Sequence, residues 1–234
     1  MIRENLAEHI VLEYTHAHVH IEFDVPHRVV SSAVLNGGFV EANHIVNIKV
    51  EGHSDTKQKI HDLPEDALAD YCLKQDWQGK IVGMMTAASM DSLQIVRTAE
   101  QGIEIIVLVT SGLSNPRRAG DRAEYREIGN SVTHAGTINI ICLTTATLTE
   151  AAMIEAVSVA AEAKSAALQN LGVLSSVSNE LATGTGTDAI AIGSGFGPKE
   201  VRYCGKHVLF GEMLARSVIE GITSSIRWEL GNER

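Results

Sequence analysis

The chain has 234 residues, 44% of them apolar, 21% charged and only 4% aromatic. That is a globular balance, long enough to bury a core built from Ala, Val, Ile and Leu. The net charge of -10 argues against a nucleic-acid binder, because phosphate contacts need clustered Lys and Arg.

Cys72, Cys142 and Cys204 show no CxxC spacing, which speaks for reduced thiols rather than a disulfide framework or a zinc site. The start, "MIRENLAEHIVLEY", lacks the apolar core of a signal peptide, and no run has the length needed to cross a bilayer. The expected location is the cytoplasm, away from membranes.

The first stretch alternates with a slip. Ile10, Leu12 and Tyr14 share one parity, while Ala17, Val19, Ile21 and Phe23 share the other. A turn or bulge near Thr15 and His16 accounts for it, since strand period is two. Asn36, Gly37 and Gly38 then separate two β-rich runs, a hairpin signal because these residues tolerate positive φ. In "HDLPEDALADYCLKQDW", Asp62 as cap, Pro64 and Glu65 predict a helix start.

"KIVGMMTAASM" and "IEIIVLVTSG" read as buried strands, with "DSLQIVRTAEQG" between them ambiguous. Residues 113–135, with Pro116, Arg117, Arg118, Arg122, Arg126 and two glycines, read as a long polar loop. "GTINIICLT" is a further strand. Thr147 and Glu150 suggest a capping box for a helix that Gly172 stops. Small or apolar residues occupy nearly every face of that helix, which implies burial on most sides. "DAIAIG" is a last buried strand and "KHVLFGEMLARSVIEGITSSIRWEL" a closing helix. Together these predict an α/β or α+β fold: a single domain over residues 1–234, with mixed β-sheet and helices packed outside.

Five places could carry chemistry. In "ATGTGTDAIAIG", Gly184 and Gly186 let backbone approach a ligand, and Thr183, Thr185 and Thr187 bring hydroxyls beside the carboxylate of Asp188. The same pattern also suits a polar turn in which Asp188 bonds local backbone. Glu162 and Lys164 stand on the apolar helix. They lie about 200° apart around it, so they do not pair with each other. Lys164 therefore needs another carboxylate or a stem that snorkels to water.

His16, His18 and His20 share strand parity, but without a carboxylate at ligand spacing they read as solvated edge residues rather than a metal site. His207, beside Gly205 at the start of the last helix, suits a general base or an ordinary surface residue. Asn36, Asn47, Asn115 and Asn139 sit at strand ends. Their carboxamides suit recognition of other amides or, for Asn36 and Asn115, simply turns.

The stretches "VVSSAVLNGG", "MMTAASM", "TSGLSN" with "RAGD", "GTINI", "EAKSAAL", "ATGTGTDA" and "GKHVLFGEML" resemble, in order, the adenosylcobinamide amidohydrolase (CbiZ) family over residues 28 to about 216. The resemblance implies hydrolysis of the amide joining the corrin acid to aminopropanol, giving adenosylcobyric acid and 1-amino-2-propanol in corrinoid salvage. For such a reaction Asp188, Glu162, Lys164 and His207 are the catalytic candidates. A water activated by Asp188 or Glu162, or a threonine nucleophile (Thr183 or Thr185), are both compatible with it. Asn36, Gly37, Asn115, Thr137, Asn139, Thr183, Gly184, Thr185 and Gly186 are the candidates for substrate binding. No separate cofactor is implied, because cobalt and the adenosyl group belong to the substrate. The expected partner is this corrinoid, with neither nucleic acid nor membrane, and self-association stays open. A corrinoid-binding protein without turnover, or an amidase for another amide, are the rival readings.

Overall fold

The computed structural model describes residues 1–50, 63–123 and 136–232. In chain order the elements are β1 (Ile2–Ala7), β2 (Ile10–Tyr14), β3 (His18–Ser31), β4 (Gly38–Lys49), α1 (Pro64–Lys74), β5 (Ile81–Thr86), β6 (Gln94–Glu100) and β7 (Ile103–Ser111). They continue with β8 (Pro116–Arg117), β9 (Ile138–Thr144), β10 (Ala146–Leu148), α2 (Glu150–Asn170), β11 (Gly184–Thr185), β12 (Ala189–Gly193), β13 (Gly197–Val201) and α3 (Leu209–Asn232).

Among the described residues, nine strands form one mixed sheet. Its path is β1-β2-β3-β12-β9-β7-β6, with β4 and β5 branching from β3. β12 runs parallel to β9 and antiparallel to β3. β3 is the hinge of the sheet, pairing with β2 through residues 19–23 and with β12 through Val29–Ser31. Its ladder to β4 breaks between Glu22 and His27. Pro26 lies in that gap, where its missing N–H costs no ladder bond.

The sheet therefore curls, and the strand period of two sorts its side chains into layers. Ile105, Val107, Val109, Ile138, Ile140, Cys142, Ile190 and Ile192 pack under α2 and α3. The intervening Ile106, Leu108, Ile141, Leu143, Ala189 and Ala191 face the opposite way, onto β2, β3, β4 and β5. Val46, Ile48 and Ile81 on the outer side of β4 and β5 are covered by Leu68 and Cys72 of α1. This is a mixed α/β fold with helices outside the sheet.

The slip near Thr15 is a hairpin turn between β2 and β3, and the Asn36 signal closes the β3–β4 hairpin with Asn36 at φ 54°. The ambiguous stretch is β6, paired antiparallel with β7. Pro116–Arg117, inside the expected loop, forms a two-residue strand with Gly184–Thr185; Arg126 and the rest of residues 124–135 lie outside the described residues. Asp62 does too, and Leu63 is the N-cap residue of α1, with Pro64 opening the helix.

Two expectations are corrected. α2 is capped by Thr149, whose side chain accepts from Ala152 N–H, whereas Thr147 lies in β10 and donates to Gly197 O at 3.0 Å. The stretch from Thr147 to Leu148 pairs with β13, so the chain is still extended where the capping box was expected. The histidines also differ. His16 is solvated, but His18 and His20 are 4% and 2% exposed. Trp77 covers them, stacked on His20 with centroids 4.0 Å apart. Burial lowers the His20 pKa to about 3, helped by the neighbouring His44.

No described helix is long and apolar enough to cross a membrane.

Candidate active site

Several chain segments meet at one edge of the sheet. β7 ends there at Ser111 and β9 begins beside it at Ile138. β12 begins at Ala189 opposite Asn139, so the Thr/Gly loop of residues 183–188 arrives at the mouth of two parallel strands.

Asp188 is the hub of that loop. Its Oδ1 accepts from Ile138 N–H at 2.9 Å and from the Thr185 hydroxyl. Its Oδ2 accepts from Thr185 N–H at 2.9 Å and from the Lys164 ammonium. Four donors fill the four lone-pair positions of a carboxylate. The Lys164 and Asp188 side chains are 12% and 8% exposed, so this ion pair is held in a nearly dry place where removing one partner strands the other.

The partner that Lys164 requires on an apolar helix is thus supplied from 24 residues away. Gly184 makes room for it, because a Cβ there would stand 2.3 Å from Asp188 Oδ2 and 2.9 Å from Lys164 Nζ. Ser165, one residue on from Lys164, holds the loop by donating to Thr183 O at 3.1 Å.

The Thr185 hydroxyl also lies 2.7 Å from Gly136 O, and that of Thr187 3.2 Å from the same oxygen. Gly136 has φ +124°, and a Cβ on it would meet Asn115 N at 2.6 Å. Only glycine fits there. Asn115 accepts from Arg117 Nε at 2.8 Å, and a Cβ on Gly186 would meet its Nδ2 at 2.7 Å. Thr137 joins through its hydroxyl, 2.9 Å from that of Thr187. Thr183 accepts from Ala119 N–H at 2.8 Å.

Asn139 sits just beneath this layer, 1% exposed. It accepts from Ala189 N–H at 3.1 Å and donates to Asn47 Oδ1 and Met85 O at 2.8 and 2.9 Å. Its polar atoms are engaged within the protein, which makes it a support of the site's floor.

Other candidates lie elsewhere. Glu162 is exposed and pairs with Lys206. His207 is exposed in the turn ahead of α3. Asn36 donates to Ile81 O at 2.7 Å, at the start of β5, and a Cβ on Gly37 would meet Ala33 O at 2.4 Å. Among the described residues, none of these four bonds to Asp188, Lys164 or Thr185.

Beside Gly136 opens a cleft of about 320 Å³, lined by Ser89, Ser111, Ser114, Gly136, Trp228 and Glu229 among others. Glu229 accepts from Leu113 N–H at 3.0 Å. Ser111 bonds Ser225 of α3 at 2.7 Å. The sequence reading did not single out these residues. The signals for them were "MMTAASM", which holds Ser89, and "TSGLSN", whose serines frame the end of β7.

A sequence model of the adenosylcobinamide amidohydrolase family matches residues 4–233. The chain belongs to the adenosylcobinamide amidohydrolase family. It is 30% identical over 204 residues to the adenosylcobinamide amidohydrolase of Methanosarcina mazei, covering 83% of this chain and 88% of that one. It is 31% identical over 221 residues to an uncharacterized protein of Methanocaldococcus jannaschii, covering 88% and 84%.

Among solved structures, a β-aminopeptidase of Burkholderia sp. matches with a TM-score of 0.43 at 13% identity, over 90% of this chain and 77% of that one. As a member of the adenosylcobinamide amidohydrolase family, the protein is a hydrolase of carboxamide C–N bonds.

Proposed function

We propose that the protein cleaves the amide linking aminopropanol to the corrin acid of adenosylcobinamide, with Thr185 as nucleophile. The products are adenosylcobyric acid and 1-amino-2-propanol. The observation that carries this reading is the contact of the Thr185 hydroxyl with Asp188 Oδ1, while Lys164 holds the other oxygen. A nucleophile touching a base that a third group orients is the arrangement covalent catalysis requires.

Asp188 has its lone pairs filled by protein donors, which favours a proton taken from Thr185 over one taken from a separate water. Glu162, paired with Lys206 on the surface, has no part in the scheme.

The Thr185 oxygen attacks the amide carbon and its proton passes to Asp188. The tetrahedral intermediate collapses, the C–N bond breaks, and the Lys164 ammonium protonates the departing amine. Asp188 returns its proton to Lys164 across their hydrogen bond. Water then attacks the Thr185 ester, giving a proton to Asp188. Thr185 leaves and recovers that proton. The sum is amide plus water to acid plus amine. No resident cofactor enters the scheme, since cobalt and the adenosyl group arrive with the substrate.

Rapid-quench mass spectrometry tests it. A corrinoid acyl adduct on the peptide containing Thr185, formed together with a burst of amine, is expected. Amine release at a steady rate with no adduct on any threonine would return the mechanism to direct attack by water.

A further inference from the structure

Residues 181–185 run extended. Ala182 N–H donates to Val173 O at 2.8 Å, Thr183 N–H to Arg117 O at 2.9 Å, and Gly184–Thr185 pair with β8. In an extended chain alternate residues share a face. The burial alternates to match: Ala182 and Gly184 are buried, Thr183 and Thr185 are half-buried and Leu181 is exposed.

Leu181 also forms an antiparallel bridge with Leu174, and residues directly opposite in such a pair present side chains on one face. Leu174 is 52% exposed, Leu181 38%, and Val177, in the turn that joins them, 42%. Three large apolar residues thus lie in the open within eight positions, beginning four residues from the Thr185 hydroxyl. At about 3.3 Å of rise per residue, Leu181 stands roughly 13 Å from Thr185.

The ledge is held firmly for a surface loop. Ser176 N–H donates to Pro116 O at 3.0 Å, and Ser175 donates to Asp121. The exposed Arg118 is pinned to Leu181 O at 2.8 Å, with its charge at the rim. Exposed apolar surface beside polar groups, kept rigid, marks a binding face.

We infer that the face formed by Leu174, Val177 and Leu181, with Arg118 at its rim, is the platform for the corrin macrocycle while one amide arm reaches Thr185. This rests on the proposed reaction. A corrin presents methyl groups and carboxamide arms at its edge, so leucine and valine meet the apolar part and the guanidinium meets carboxamide oxygens. Continuity decides the occupant: the ledge shares a face with the reacting hydroxyl, and a macrocycle is too bulky for the cleft of about 320 Å³.

Adenosylcobinamide is titrated by equilibrium dialysis into Thr185→Ala protein, which binds without turning over. In that background Leu174→Ser and Leu181→Ser each weaken binding about tenfold, and the pair together weaken it further. Leu73→Ser, a still more exposed leucine on α1, leaves it unchanged. Thermal melts confirm that all four variants stay folded. If the parent binds and wild type turns over, yet the Leu174 and Leu181 variants bind equally well, the platform is wrong and the reaction stands. Equal weakening by Leu73→Ser would also overturn it. If the parent binds no corrinoid and wild type forms no product, both readings fall.

Discussion

Two buried polar clusters among the described residues handle charge in opposite ways. At Asp188 a full ion pair is kept in a nearly dry place, with every carboxylate position bonded and the half-buried Thr185 hydroxyl among the donors. Under Trp77 the imidazoles of His20 and His44 face each other at 3.0 Å.

His44 Nε2 must donate to Gln78 O, 2.8 Å away, because a carbonyl only accepts. His44 Nδ1 is therefore the acceptor and His20 Nε2 the donor, which leaves His20 Nδ1 a buried lone pair with no partner. The first cluster is an ion pair, while in the second burial disfavours the charged form of His20. A hub that holds its charges in fixed positions can do proton chemistry. A cluster that disfavours an imidazolium serves packing, and acid is its weak point.

Breaking the ion pair should have the largest effect. Lys164→Ala strands the Asp188 carboxylate, and we expect a loss of about 3–5 kcal/mol in denaturant unfolding. A fall in kcat of roughly 10²–10⁴-fold in whatever fraction remains folded should accompany it. The two loop glycines sharpen the point. Gly184→Ala drives a Cβ into Asp188 and Lys164, whereas Gly186→Ala meets only the end of the Asn115 side chain. Activity assays should show the first nearly inactive and the second reduced by no more than about tenfold, since a 1 Å displacement costs on the order of 10²-fold.

The histidine cluster predicts an acid limb. The folded pKa of His20, about 3, lies below its unfolded value of roughly 6.5. The unfolded chain therefore binds the extra proton first as pH falls. The stabilisation is complete above pH 6.5 and is lost progressively between there and about pH 3. By pH 4.5 the loss is on the order of 2–3 kcal/mol. Urea melts across this range measure it, and His20→Phe should flatten the limb. An unchanged limb in that variant would remove His20 as its cause. The smallest effect is at a cap: Thr149→Ala should cost about 1 kcal/mol and leave kcat untouched.

Much of the fold was legible where apolar runs are continuous. β5, β7, β9 and β12 announced themselves because both faces of each are covered. β6 did not, since it borders the sheet beyond β7 and mixes Gln94, Arg97 and Glu100 with apolar residues. Pattern predicted the helices, but the cap of α2 slipped by two residues because Thr147 and Thr149 are equally good cap types and only β13 decides between them.

Of the residues that meet around Asp188, residue type singled out Asp188, Lys164, Thr185, Gly184, Gly186 and Asn115, while Thr137 was named only with the family resemblance. Their pairing was not legible, because 24 residues separate Lys164 from Asp188 and the contact is tertiary. Glu162 stood out as a charge on an apolar helix, and the helix geometry that separates it from Lys164 leaves it on the surface with Lys206. The buried histidines escaped because Tyr71 and Trp77, which cover them, come from the far side of a hairpin and a helix.

The central claim is that the Thr185 hydroxyl, held by Asp188, performs the family's reaction. The most direct measurement is chromatographic: adenosylcobinamide is incubated with purified wild type, Thr185→Ser, Thr185→Ala and Asp188→Asn, and adenosylcobyric acid is quantified. Product from wild type, slower product from Thr185→Ser, and none from Thr185→Ala or Asp188→Asn is the predicted result. Adenosylcobyric acid formed by Thr185→Ala at the wild-type rate would contradict the account.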